Sequence, residues 1–229
     1  MAEPFRIDIA RDERVSALVY AADARTRAGM TLMLAHGAGA GQKSPFLVRF
    51  ATGLSARGID AVTFNFSYIE HGRRAPDPNP KLEACYRAAI ATVRGYGKLG
   101  RNQLAIGGKS MGGRIASQVA AGGAEGVAAL VLLGYPLHPP GRPDALRAKH
   151  LTDIRVPMLF VQGSRDAFGT PVELRPILAK LEAPAALHVV ENGDHSFKVP
   201  KRAGIAQDEI YEAILDRIEA WLRETLGGP

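Results

Sequence analysis

Gly108-Lys109-Ser110-Met111-Gly112, with Gly113 following, is the stretch on which the reading of this chain turns. It matches the pattern G-x-S-x-G, and its setting matters as much as its letters. The apolar run Gln103–Gly107 before it reads as a strand, and the small-residue run Gly112–Ala121 after it reads as a helix. A serine raised on a tight strand-to-helix turn needs unusual backbone angles. Small neighbours two residues away on either side keep the turning backbones from clashing. The following helix aims its N-terminus at the serine, where its dipole favours developing negative charge. Ser110 is therefore the candidate nucleophile.

Outward from this turn the chain alternates strands and helices. On the N-terminal side, Arg6–Ala10 and Val15–Tyr20 read as an edge hairpin or meander. Thr31–Ala35 is a buried strand, Pro45–Arg57 a helix with apolar residues at helical spacing, Ala61–Phe66 a strand and Lys81–Tyr96 a helix. On the C-terminal side, Ala128–Leu133 and Met158–Gln162 read as apolar strands, Pro171–Leu181 as a helix, Ala186–Val190 as a strand, and Gln207–Leu226 as a long terminal helix. This alternation predicts an α/β fold: a mostly parallel sheet of about eight strands with helices on both faces. Chemistry in such sheets gathers at the carboxyl ends of the strands.

A serine hydroxyl needs a base in hydrogen-bond reach, and the next candidates stand at later strand ends. Gln162-Gly163-Ser164-Arg165-Asp166 follows one strand, and Asn192-Gly193-Asp194-His195-Ser196-Phe197 follows the next. The order serine, aspartate, histidine suits this fold. His195 is the expected base and Asp166 the residue orienting it. Asp194 is a rival acid, disfavoured because a sequence neighbour rarely reaches the far ring nitrogen. The loop His36-Gly37-Ala38-Gly39-Ala40-Gly41 closes the strand Thr31–Ala35. Its small residues let the backbone approach an oxyanion, so the amides of Ala38 and Met111 are the expected donors, with His36 bracing the loop.

With those residues in place, the chain resembles the α/β-hydrolase superfamily over nearly its whole length, in particular the small dienelactone-hydrolase-like branch. Leu34–Gly41, Gly107–Gly113, Gln162–Gly169 and Asn192–Phe197 carry the resemblance. The proline-rich Gly134–Pro143 is also similar to a segment in relatives of an NSL histone-acetyltransferase complex subunit. The resemblance implies nucleophile Ser110, acid Asp166, base His195 and oxyanion donors Ala38 and Met111. Dienelactone hydrolases proper use cysteine where this chain has Ser110, so their lactone specificity is not carried over. Only Tyr135–Val156 lies where larger esterases insert a cap, which predicts an open, uncapped site.

The remaining features bound the function. A chain of 229 residues, 46% hydrophobic and 23% charged, suits one soluble α/β-hydrolase domain spanning residues 1–229. The 29 basic and 23 acidic residues leave a net charge of +6. The basic residues are scattered and accompany no nucleic-acid motif, so no nucleic-acid partner is expected. No apolar stretch has the length of a signal peptide or a membrane span, so a cytoplasmic protein with no membrane partner is expected. The single cysteine, Cys85, reads as a buried structural thiol. No metal or other cofactor is expected, because the histidines lack ligand spacing. Gly37–Ser44 approximates a phosphate loop, but Gln42 stands where that loop needs glycine, and Pro45 follows.

The expected function is hydrolysis of a small-molecule ester through an acyl-enzyme on Ser110. A non-catalytic binding module on the same scaffold is the alternative. Lys109, Arg114, Arg165 and Arg73-Arg74 raise the further expectation of an anionic substrate, against that of solvated surface charge. Oligomeric state is not legible.

Overall fold

The computed structural model describes residues 2–227. Eight strands form one sheet: β1 Glu3–Ala10, β2 Glu13–Tyr20, β3 Met30–Ala35, β4 Asp60–Phe64, β5 Gln103–Lys109, β6 Val127–Leu133, β7 Met158–Gly163 and β8 Ala185–Val190. Their spatial order is β1-β2-β4-β3-β5-β6-β7-β8. The first two strands pair antiparallel with each other, and β2 pairs antiparallel with β4. From β4 to β8 every pairing is parallel. The expected mostly parallel sheet with an antiparallel edge is present.

The central strands read as continuous apolar runs because helices cover both faces. Every residue of β3, β4 and β7 is buried, as sheets covered on both sides require. One layer holds α3 (Asn79–Gly95), α4 (Met111–Ala121) and α5 (Pro171–Leu178). Their apolar faces, including Tyr86, Ile115 and Leu174, pack with Met33, Ile106 and Phe160. The opposite layer holds α1 (Pro45–Ala56) and α6 (Gln207–Leu226), whose Phe50, Leu54, Leu215 and Trp221 pack with Leu32, Val131 and Leu159. Ser44 caps the first of these helices, its side chain accepting from the Leu47 amide at 3.4 Å. Thr170 and Glu173 form a reciprocal capping box on α5.

Local differences from expectation have physical reasons. β4 ends at Phe64: the Asn65 amide still donates to Ser16 of β2, but the Asn65 side chain and the Phe66 amide bond the loop after β3. A one-turn helix, α2 (Ser67–Glu70), follows there; it is too short to leave a periodic signal. Helix α5 stops at Leu178 rather than Leu181, with Pro176 in its last turn. The connection between β6 and β7 holds loop and one 3₁₀ turn, Lys149–Asp153, and no cap. Among the described residues, no helix is long and apolar enough to cross a membrane. Cys85 is buried in the core, and burial pushes its thiol up to about 12.

Candidate active site

Three loops at the carboxyl ends of β5, β7 and β8 bring Ser110, Asp166 and His195 together. Ser110 sits at φ 52°, ψ −116°, between the last residue of β5 and the first turn of α4. Such angles are strained for a side chain with a Cβ and persist only where the surroundings hold them. Here the Ser110 amide donates to the Leu133 carbonyl at 2.9 Å, and its carbonyl accepts from Arg114 at 3.0 Å. The flanking glycines permit the turn. A Cβ on Gly108 would stand 2.4 Å from the Ala35 carbonyl oxygen, and one on Gly112 would stand 2.3 Å from the same atom.

The Ser110 hydroxyl lies 2.8 Å from His195 Nε2, and His195 Nδ1 lies 2.8 Å from Asp166 Oδ2. Asp166 is buried. Its other oxygen accepts from the Phe168 amide at 2.8 Å, and Oδ2 also accepts from the Gln162 side-chain amide at 2.8 Å. The Phe168 ring lies against the imidazole, with centroids 4.2 Å apart. Asp194, the rival acid, is a turn residue: its Oδ1 accepts from the amides of Ser196 and Lys198 at 2.7 and 2.9 Å. The carboxylate paired with His195 is Asp166.

Gln162 and Phe168 escaped the sequence reading. Gln162 is a buried polar residue inside the apolar strand MLFVQG. Its side-chain oxygen accepts from the Tyr135 amide at 2.8 Å, and its nitrogen also donates to the Gly169 carbonyl at 2.7 Å. A glutamine at a buried strand end is the signal that could have revealed it, since buried amides are placed where their bonds are made.

On the opposite wall, His36 braces the loop after β3. Its Nε2 accepts from the Phe66 amide at 3.1 Å, and its Nδ1 lies 2.8 Å from the Gly37 carbonyl. Burial pushes this imidazole down to about 4, so it is neutral at physiological pH and free to accept from Phe66. The loop's far end is tied by the Gln42 amide donating to Asn65 Oδ1 at 2.7 Å. Ala38 and Met111 both line the cleft beside Ser110. Neither main-chain amide donates a hydrogen bond among the described residues.

The cleft over Ser110 has a volume of about 860 Å³. Phe46, Leu47, Leu82, Pro136 and Phe168 give it apolar walls, while Lys109, Arg114 and Arg147 bring charge to it. Lys109 does not point outward, as a residue flanking a turn commonly does. Its ammonium is buried without a hydrogen-bond partner, 5.9 Å from the Phe46 ring centroid and 5.7 Å from that of Phe197. Burial pushes it down to about 8, against the attraction of Asp166 and Asp194. Arg165 is exposed and lies away from the cleft lining, and Arg73 is paired with Asp77. Among the described residues, no group of three or more His, Cys, Asp or Glu side chains could hold a metal ion.

This sheet order, with a serine elbow after its fifth strand and no cap, is the α/β-hydrolase fold. Residues 28–223 match the family model described as alpha/beta hydrolase domain, and the chain belongs to that family. Solved structures share the fold at low identity. A dienelactone hydrolase from Anabaena variabilis superposes with a TM-score of 0.76 at 18% identity, covering 98% of each chain. A serine hydrolase without lid from Xanthomonas campestris gives 0.74 at 20% identity, over 96% of this chain and 94% of the other. An alpha-beta serine hydrolase homologue from Coxiella burnetii gives 0.74 at 20%, over 94% and 96%.

Proposed function

We propose that this protein is a serine hydrolase of small carboxylic esters, acting through an acyl-enzyme on Ser110. The observation that carries the reading is the unbroken chain of hydrogen bonds from buried Asp166 through His195 to Ser110, ending in an open cleft. A hydroxyl becomes a competent nucleophile when a base takes its proton as it attacks. His195 Nε2 is in reach to do so, and Asp166 holds the ring with Nδ1 as the protonated nitrogen and stabilises the imidazolium that forms.

In the first half-reaction Ser110 Oγ bonds to the substrate carbonyl carbon, and its proton passes to His195. The resulting oxyanion is held by the amides of Ala38 and Met111, which line the cleft beside Ser110 and have no other acceptor among the described residues. One such donor contributes about 3 kcal/mol to the transition state. His195 then protonates the leaving alcohol, and the carbon–oxygen bond breaks. Water completes the cycle with His195 again as base, releasing the acid and restoring Ser110. No step calls on a cofactor. The missing cap leaves the cleft open to small or surface-presented esters.

The test is p-nitrophenyl butyrate hydrolysis by the wild-type protein and by Ser110→Ala. Turnover that falls by about 10⁴-fold or more in the variant supports the reading. Equal turnover by both proteins excludes Ser110 as nucleophile.

A further inference from the structure

The cleft carries more positive charge than its own carboxylates neutralise. Five cationic side chains line it: Arg49, Lys109, Arg114, Arg147 and Lys198. Its two lining acids are already engaged, Asp208 by Arg49 at 3.1 Å and Asp77 by Arg73 at a hydrogen-bonding distance of 2.6 Å. Arg114 and Arg147 form no ion pair among the described residues, although the first is half-buried.

Their positions are built rather than incidental. Arg114 stands on the first turns of α4, four residues after Ser110. Neutral amide oxygens aim its guanidinium: Nη2 donates to Asn79 Oδ1 at 3.1 Å and Nη1 to Gln118 Oε1 at 3.3 Å. Arg147 comes from the proline-rich connection between β6 and β7. Its main chain is pinned there: its amide donates to the Leu137 carbonyl at 2.7 Å, and its carbonyl accepts from the Tyr135 hydroxyl at 2.7 Å. Burial and the Arg147 charge together push the Arg114 guanidinium below its ordinary range. Two like charges lining one partly desolvated cleft repel each other, and an anion bound by both relieves that cost. Guanidinium forks match the planar oxygens of a carboxylate, and do so better than a single ammonium. Leu82, Pro76 and Pro136 add apolar surface to the same cleft.

We infer that Arg114 and Arg147 form an anion subsite, so that the preferred substrate is an ester with an apolar body and a free carboxylate. This rests on the esterase reading, and it assigns that site's substrate class. Charge on the acyl side is probed by the mono-p-nitrophenyl ester of adipic acid against p-nitrophenyl methyl adipate. Charge on the alcohol side is probed by 4-acetoxybenzoate against its methyl ester.

In at least one pair the wild-type kcat/KM for the anion exceeds that for the neutral ester by about tenfold or more, mainly through KM. Salt weakens the preference, because a partly exposed site is screened. The ratio collapses towards one in Arg147→Met and is partly restored in Arg147→Lys. Arg147 is exposed, so its variants report on the subsite even where Arg114→Met fails to fold. A ratio near one in wild-type protein for both pairs overturns the inference, as does a preference that both arginine variants retain.

Equilibrium binding of 4-acetoxybenzoate and its methyl ester to Ser110→Ala protein separates this inference from the esterase reading. Binding that prefers the anion and depends on Arg147, without turnover by wild-type protein, keeps the subsite and discards the esterase. Turnover without any anion preference does the reverse.

Discussion

Two buried aspartates stand at opposite ends of the same sheet. Asp60 opens β4 at the amino end of the parallel strands, and Asp166 follows β7 at the carboxyl end. Both side chains are fully enclosed, and both are held by a main-chain amide and a side-chain amide. Asp60 accepts from Ala22 and Asn102, each at 2.8 Å. Asp166 accepts from Phe168 and Gln162, also each at 2.8 Å. The third partner separates them. Asp60 meets Arg27 at 3.1 Å, a permanent cation whose guanidinium also donates to the Ala22 carbonyl. Asp166 meets a half-buried histidine whose far nitrogen reaches a serine in the cleft. Burial and satisfaction of the carboxylate are common to both. What sets the second apart, and supports its proposed role in orienting His195, is that its hydrogen bonds continue outward, through a group that can take up a proton, to open space.

The contrast breaks most easily at Asp166. Asp166→Asn should lower kcat for p-nitrophenyl butyrate by about 10⁴-fold, because the ring is then held in the wrong tautomer. Its urea midpoint should move little. An activity loss matched by an equal loss of fold would erase the distinction. Asp60→Ala should do the opposite. Removing it leaves Arg27 and the Asn102 amide without their buried acceptor, which costs about 3 kcal/mol in urea unfolding. The folded fraction should keep wild-type turnover per molecule.

A smaller effect is expected at Lys109. Lys109 is a buried ammonium with no acceptor, so it weakens the fold wherever it is charged. Its folded value, about 8, lies below that of an exposed lysine. Between those two values the unfolded chain binds the extra proton, so stability rises with pH across that window. Lys109→Met should therefore raise Tm at pH 7, and the gain should fade as pH approaches the ordinary lysine range. A gain independent of pH would mean that packing, not charge, limits this position.

The fold was legible because its signals are local. Apolar runs bounded by Gly and Pro gave the strands, and the small residues around Ser110 gave the turn that raises it. The positions of Ser110, Asp166 and His195 were legible for the same reason: each closes its own strand. Features that depend on distant segments were not. Gln162 reads as the end of a strand until Tyr135, 27 residues away, supplies its partner. Lys109 reads as solvated until Phe46 and Phe197 close over it. That Arg114 and Arg147 line one cleft depends on the path of a proline-rich loop, which no hydrophobic period encodes.

Whether Asp166 and His195 make Ser110 the nucleophile is decided by covalent labelling. Wild-type protein would be treated with a fluorophosphonate, and the modified residue mapped by peptide mass spectrometry. One label is expected on Ser110, absent in Ser110→Ala and strongly slowed in Asp166→Asn. Folded wild-type protein left unlabelled, or labelled at another residue, would contradict that role for Ser110.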